Sequence, residues 1–140
     1  MKQNYNQNYG RCGIAAILGQ IHDCVRSNRF TVSVNDSREE NRRFIYEYNL
    51  THAKIAELLL AIDVADFCHS LRNIKPGYEH ETLYVFCPQV QLYNLTGNQE
   101  RVDVYTKFNL ITTAGGNRVV VISLHPRNKP INYCFPRLKG

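Results

Sequence analysis

"VYTKFNLITTAGGNRVVVISLHP", Val104–Pro126, decides how this chain is read. Polar and apolar residues alternate along its first half, "AGGN" interrupts the run, and "RVVVISLH" is rich in β-branched residues, so two strands joined by a tight turn are expected. Alternation sends Val102, Val104, Thr106, Phe108 and Leu110 to one face and Arg101, Asp103, Tyr105, Lys107 and Asn109 to the other. The apolar set must meet a core, which leaves Tyr105, Lys107 and Asn109 on a face open to water or a ligand. The same count in the second strand groups His125 with Ser123, Val121 and Val119, opposite Val120, Ile122 and Leu124. A roughly symmetric register across the turn then brings His125 to the Tyr105 end, within reach of a common ligand.

Upstream, "TLYVFC" stops before Pro88 and "QVQLYNL" runs into the turn "TGNQ", which extends the pair into an antiparallel meander. A short last strand in "INYCF" is expected after Pro126 and Pro130. "IKPGYEHE", with Pro76 and Gly77, reads as a loop that separates this half from a helical one. Ile14, Ile17, Leu18, Ile21 and Val25 recur at helical steps. Ser37 with Glu40 forms a capping-box pattern for a second helix reaching about Tyr48, and Asn49 suits its stop. Thr51 caps a third helix to about Ala61, with Ile55, Leu58, Leu59 and Ile62 on one side. Asp63 is expected to cap one more short helical turn in "VADFCHSL". Helices followed by a continuous antiparallel sheet predict an α+β fold, with N-terminal helices packed on one face of a C-terminal antiparallel β-sheet. Residues 1–12, rich in Asn, Gln and Tyr, offer little to bury and are expected to be a flexible tail before a single domain over 13–140.

A chain of 140 residues can bury a core without disulfides. Its five cysteines are odd in number and lack C-x-x-C or zinc-type spacing, so they read as reduced thiols, mostly packed as small hydrophobes, and no metal ligands are assigned. The apolar run near "KIAELLLAI" is too short for a membrane span, and the N-terminus lacks the pattern of a signal peptide. A cytoplasmic protein without a membrane partner is expected. The net charge of +5 and pI near 9.0 favour polyanionic partners. Arg118, Arg127, Lys129, Arg137 and Lys139 make the C-terminal end the basic one.

Four short motifs stand in order: "DFCHS" closing the helical half, "ETLYVF", "VDVYTKFNLI" with its Y-x-K, and "RVVVISLHP". In this order and spacing the chain, over about residues 14 to 135, resembles the MqsR-like (motility quorum-sensing regulator) toxins of bacterial type II toxin-antitoxin modules. That resemblance implies a RelE-like fold, metal-independent endoribonuclease activity on messenger RNA, no cofactor, and a cognate antitoxin, often DNA-binding, that blocks the toxin. It leaves open whether the ribosome takes part. Tyr105 and Lys107 match the family's Y-x-K strand, and Tyr84 matches an aromatic of the preceding sheet segment. His69 and His125 stand where the founding member has lysines, and Val85 where it has a glutamine. The resemblance therefore does not carry over a cleavage sequence.

Metal-free RNA cleavage uses the ribose 2'-OH as an internal nucleophile, so one group must take a proton, another must give one, and positive charge must face the phosphate. His69 and His125 are the acid-base candidates because imidazole titrates near neutrality. Lys107 would hold the nonbridging oxygens, and Tyr105 would donate to the phosphate or stack on a base. Tyr84, Arg127 and Lys129 would bind RNA. The alternative class is a basic RNA-binding or protein-interaction module on the same scaffold without turnover. A metal-dependent hydrolase ranks last, since no ligand cluster is visible.

Overall fold

The computed structural model describes residues 5–35 and 38–136. The order of elements is α1 (Arg11–Arg26), β1 (Phe30–Val32), α2 (Glu39–Glu47), α3 (His52–Leu60), a 3-10 turn (Val64–Asp66), β2 (Phe67–Arg72), β3 (Thr82–Phe86), β4 (Gln89–Tyr93), β5 (Gln99–Thr113) and β6 (Gly116–Pro126). Helical periodicity holds in α1, where Ile14, Leu18, Ile21 and Val25 are buried along one stripe. Asn28 and Asn49 take left-handed backbone (φ 57° and 48°), ending the turns after α1 and α2. Thr51 caps α3 as expected, its side chain accepting from the Lys54 N–H at 3.2 Å. The Ser37 half of the expected capping box lies outside the described residues.

The strands form one six-stranded sheet in the order β1-β6-β5-β3-β2, with β4 also paired to β5. Every pairing is antiparallel except β1 with β6. This is an α+β fold with three α-helices among the described residues. β5 is long enough to serve two partners on one edge: residues 99–103 pair with β4 and 106–109 with β3. Its face toward the helices carries Val102, Val104, Thr106 and Phe108, packed with Ile14, Leu18, Phe44, Leu59, Phe67, Phe86, Val119, Val121 and Leu124. Each large apolar side chain buried there contributes about 1.5–3 kcal/mol. No helix among the described residues is long and apolar enough to cross a membrane.

Four expectations need correction. "FCHSLR" is not a helical continuation: Asp63 and Asp66 close a reciprocal capping box on a single 3-10 turn, after which the chain extends into β2. The tail is not loose over residues 5–12, because Asn6 bridges Ser70 of β2 through both backbone groups (3.0 and 2.9 Å) and α1 already begins at Arg11. "INYCF" adds no strand; it crosses the sheet with the Tyr133 hydroxyl donating to Cys87 O (2.6 Å) and the Cys134 N–H to Phe67 O (2.9 Å).

The fourth concerns the β6 faces. Lys107 pairs with Ser123 but Phe108 pairs with Val121, so Ile122 is an extra residue in β6. The bulge reverses the alternation: Val119, Val121 and Leu124 face the helices, while Ser123 and His125 share the opposite face with Lys107 and Tyr105. Fully buried Asn41 of α2 pins it. Its Nδ2 donates to Ser33 O (2.8 Å) and Ile122 O (2.9 Å), and its Oδ1 accepts from the Leu124 N–H (2.8 Å). The side-chain amide thus continues the ladder where β1 ends, satisfying backbone groups that burial would otherwise leave unpaired.

Candidate active site

Across the sheet, His69 of β2 pairs with Val85 of β3, Val85 with Lys107 of β5, and Lys107 with Ser123 of β6. Tyr105 pairs directly with His125 one step along, on the same face. Lys107 and His125 are therefore diagonal neighbours, roughly 7–8 Å apart between Cα atoms. His69 stands two strands from Lys107, about 10 Å at the ordinary strand spacing. The register thus places the four residues singled out for catalysis on one face, with Lys107, Tyr105 and His125 adjacent and His69 three strands from His125.

This face is not open in the way alternation suggested. Cys68, Leu71, Leu83, Val85, Cys87 and Tyr105 form a second apolar cluster, against which Ile122, Ile131 and Tyr133 pack. Tyr105 is only 7% exposed. Burial pushes its phenol up to about 12, so at neutral pH it is a hydrogen-bond donor and not a base. Its ring lies nearly parallel to His125, 5.5 Å between centroids and 20° between planes.

Lys107 is half-buried, and burial, then the charges of Arg38 and Lys129, lower its pKa. Arg38 and Lys129 therefore lie close enough to Lys107 for their positive charge to raise the cost of charging it. Such a cluster is an anion-binding arrangement, because an entering negative charge relieves that repulsion.

His125 has its Nδ1 2.8 Å from the carbonyl oxygen of Pro126 and 3.7 Å from Oε2 of Glu40. A carbonyl only accepts, so in the neutral ring Nδ1 carries the proton and Nε2 keeps a lone pair available to a substrate. Glu40 is itself held by Asn128, whose Nδ2 donates to Oε2 at 2.8 Å. Neither Glu40 nor Arg38 was marked from sequence as a site residue.

His69 is placed differently from expectation. It sits in a strand, is 5% exposed, and its buried Nε2 has no hydrogen-bond partner among the described residues. Burial, then Lys129 and Lys107, lower its pKa to about 4. The Tyr5 ring lies flat on it, 4.0 Å between centroids and 10° between planes. A neutral, covered imidazole of this kind is not a proton shuttle at pH 7, which argues against the acid-base role expected for His69.

Two RNA-binding assignments also change. Tyr84 points to the helix-side face, where it packs with Tyr9 and the main core. Arg127 is partly exposed and already engaged within the protein, paired with Asp103 (Nε–Oδ2 3.1 Å) and donating to Lys129 O (3.2 Å). Lys129 does border the site: its Nζ contacts the Tyr5 hydroxyl at 3.4 Å.

The described residues contain no group of three or more His, Cys, Asp or Glu side chains placed to hold a metal ion. None of the five cysteines forms a disulfide; Cys24, Cys68 and Cys87 are buried. Compared with protein-family models, with curated proteins and with solved structures, the chain matches none.

Proposed function

We propose that this protein is a metal-independent endoribonuclease of the MqsR-like toxin type, with a RelE-like arrangement, that cuts single-stranded messenger RNA and is restrained by a cognate antitoxin. The observation that carries this reading is the shared face of Lys107, Tyr105 and His125, with Arg38 and Lys129 adding positive charge and the Glu40 carboxylate at His125. A phosphodiester seated at Lys107 supplies the missing negative charge. His125 Nε2 takes the proton from the 2'-OH, whose oxygen attacks the adjacent phosphorus. Lys107 stabilises the charge that grows on the nonbridging oxygens. Tyr105, kept protonated by burial, gives a proton to the departing 5'-oxygen, and the His125 imidazolium beside it returns one. The products are a 2',3'-cyclic phosphate and a 5'-hydroxyl end. His69 takes no part in this transfer.

Incubation of the purified protein with single-stranded RNA in EDTA tests the reading. Cleavage leaving cyclic phosphate ends, lost in Lys107→Ala, is the expected result. RNA retained intact would instead favour the binding-module alternative, which the burial of Tyr105 supports, and cleavage abolished by EDTA would overturn the metal-independent mechanism. Growth arrest on expression, relieved by a small protein encoded next to it, would test the antitoxin.

A further inference from the structure

Tyr5 belongs to a segment that sequence gave no reason to place, yet it is the best-positioned aromatic near the cationic face. Its backbone neighbour Asn6 is clamped to Ser70 by two hydrogen bonds (3.0 and 2.9 Å), and Gln7 Nε2 donates to Cys68 O at 2.9 Å. One face of the ring is fully stacked on His69, yet Tyr5 as a whole remains 53% exposed. A cavity of about 160 Å³ opens beside it, walled by Gln7, Lys129, Ile131 and Asn132. Lys129 reaches the Tyr5 hydroxyl (3.4 Å) and lies 6.0 Å from the ring centroid.

We propose that Tyr5, backed by His69, is a stacking platform for an unpaired nucleobase of single-stranded RNA, adjoining the phosphate held at Lys107. This rests on the ribonucleic-acid reading above and extends it to a base-binding subsite. The buried Nε2 of His69 meets no hydrogen-bond partner among the described residues, so what the ring offers is its face. An imidazole that stays uncharged at pH 7 makes a firm apolar backing for a second ring. A tyrosine immobilised on one side loses little further freedom when a base covers the other, which is the condition for a tight stack. Lys129 then stands where it can meet the backbone of the stacked nucleotide, and the Asn132 amide lines the wall facing the base edge.

The test is binding of a fluorescent single-stranded 2'-O-methyl oligonucleotide, which cannot be cut, followed by anisotropy in EDTA alongside cleavage of the unmodified RNA. Base-aromatic stacking is worth about 1–3 kcal/mol, so Tyr5→Ala should weaken binding roughly 5- to 150-fold. Tyr5→Phe and Tyr5→Trp should bind as the wild type does, and Tyr5→Leu, which keeps apolar cover over His69, should bind as Tyr5→Ala does. Equal affinity across the series overturns the platform. Tighter binding or faster cleavage by Tyr5→Ala also overturns it, and shows that Tyr5 covers the site instead. Cleavage by the wild type with no dependence on Tyr5 removes the platform but leaves the nuclease reading. Tyr5-dependent binding without any cleavage does the reverse, and no binding by the wild type removes both.

Discussion

Replacing Asn41 with leucine should be among the most damaging substitutions in this protein, although Asn41 is not in the candidate site. The side chain is fully buried and makes three hydrogen bonds, to Ser33 O, Ile122 O and Leu124 N–H. Leucine has nearly the same shape and fills the space, so the loss is polar: two carbonyls and one N–H are left without partners beside the β6 bulge. At about 1–3 kcal/mol for each group left unsatisfied, the cost is roughly 3–6 kcal/mol after partial relaxation. Asn41→Asp keeps an acceptor for Leu124 N–H but faces both carbonyls with a carboxylate, and should be at least as harmful at neutral pH. Equilibrium urea unfolding by circular dichroism measures this as a lower midpoint at unchanged slope. Because the bulge turns Ser123 and His125 toward Lys107, the folded fraction of Asn41→Leu should also cleave RNA poorly. A loss below about 1 kcal/mol with normal cleavage would refute the claim that this amide holds the bulge.

Acid should destabilise the fold through His69. Its pKa is about 4 in the folded chain against 6.5 for the free side chain, so the unfolded chain binds the proton more readily. The stabilisation is complete above pH 6.5 and is lost as pH falls toward 4, by about 3 kcal/mol in all. His69→Phe, which keeps the stack, should lose roughly 2 kcal/mol less between pH 7 and pH 4.5 in urea titrations, most of that total falling within this window; identical pH dependence of the two proteins would contradict it. Lys107→Met removes a half-buried cation facing Arg38 and Lys129, so stability should hold or rise by about 1 kcal/mol, while cleavage falls about 10²- to 10³-fold. Parallel loss of both would make Lys107 structural. Arg127→Ala removes a partly exposed pair with Asp103 and an exposed hydrogen bond to Lys129 O, so it should cost about 1 kcal/mol or less and leave the cleavage rate unchanged; a large rate loss would return Arg127 to the site.

Several elements that the sequence declared locally are kept in the structure. Thr51 caps α3 with its own hydroxyl, the α1 stripe follows from spacing, and the β5–β6 hairpin follows from alternation around a glycine turn. What stayed hidden depends on partners distant in the chain. Ile122 looks like any other apolar residue of β6, and only pairing with β5 reveals it as extra. Asn41 lies on the α2 face that also carries Phe44, and an amide in an apolar stripe was the available signal. The 3-10 turn before β2 and the shifted register between Phe67 and His69 broke the alternation that would have marked a strand. Residues 5–10 are held largely through backbone groups and two rings, which periodicity cannot register. The same limit explains the site: the row of Lys107, Tyr105 and His125 was legible from one hairpin, whereas its cover by the two terminal segments was not.

One substitution in the RNA tests the central claim most directly. Once a cut has been mapped, the ribose 5' to it is replaced by 2'-deoxyribose and nothing else is changed. Attack by the internal hydroxyl predicts that this linkage becomes resistant while the oligonucleotide binds with unchanged affinity. Continued cleavage at the deoxy position, or products bearing 5'-phosphates, would contradict the account.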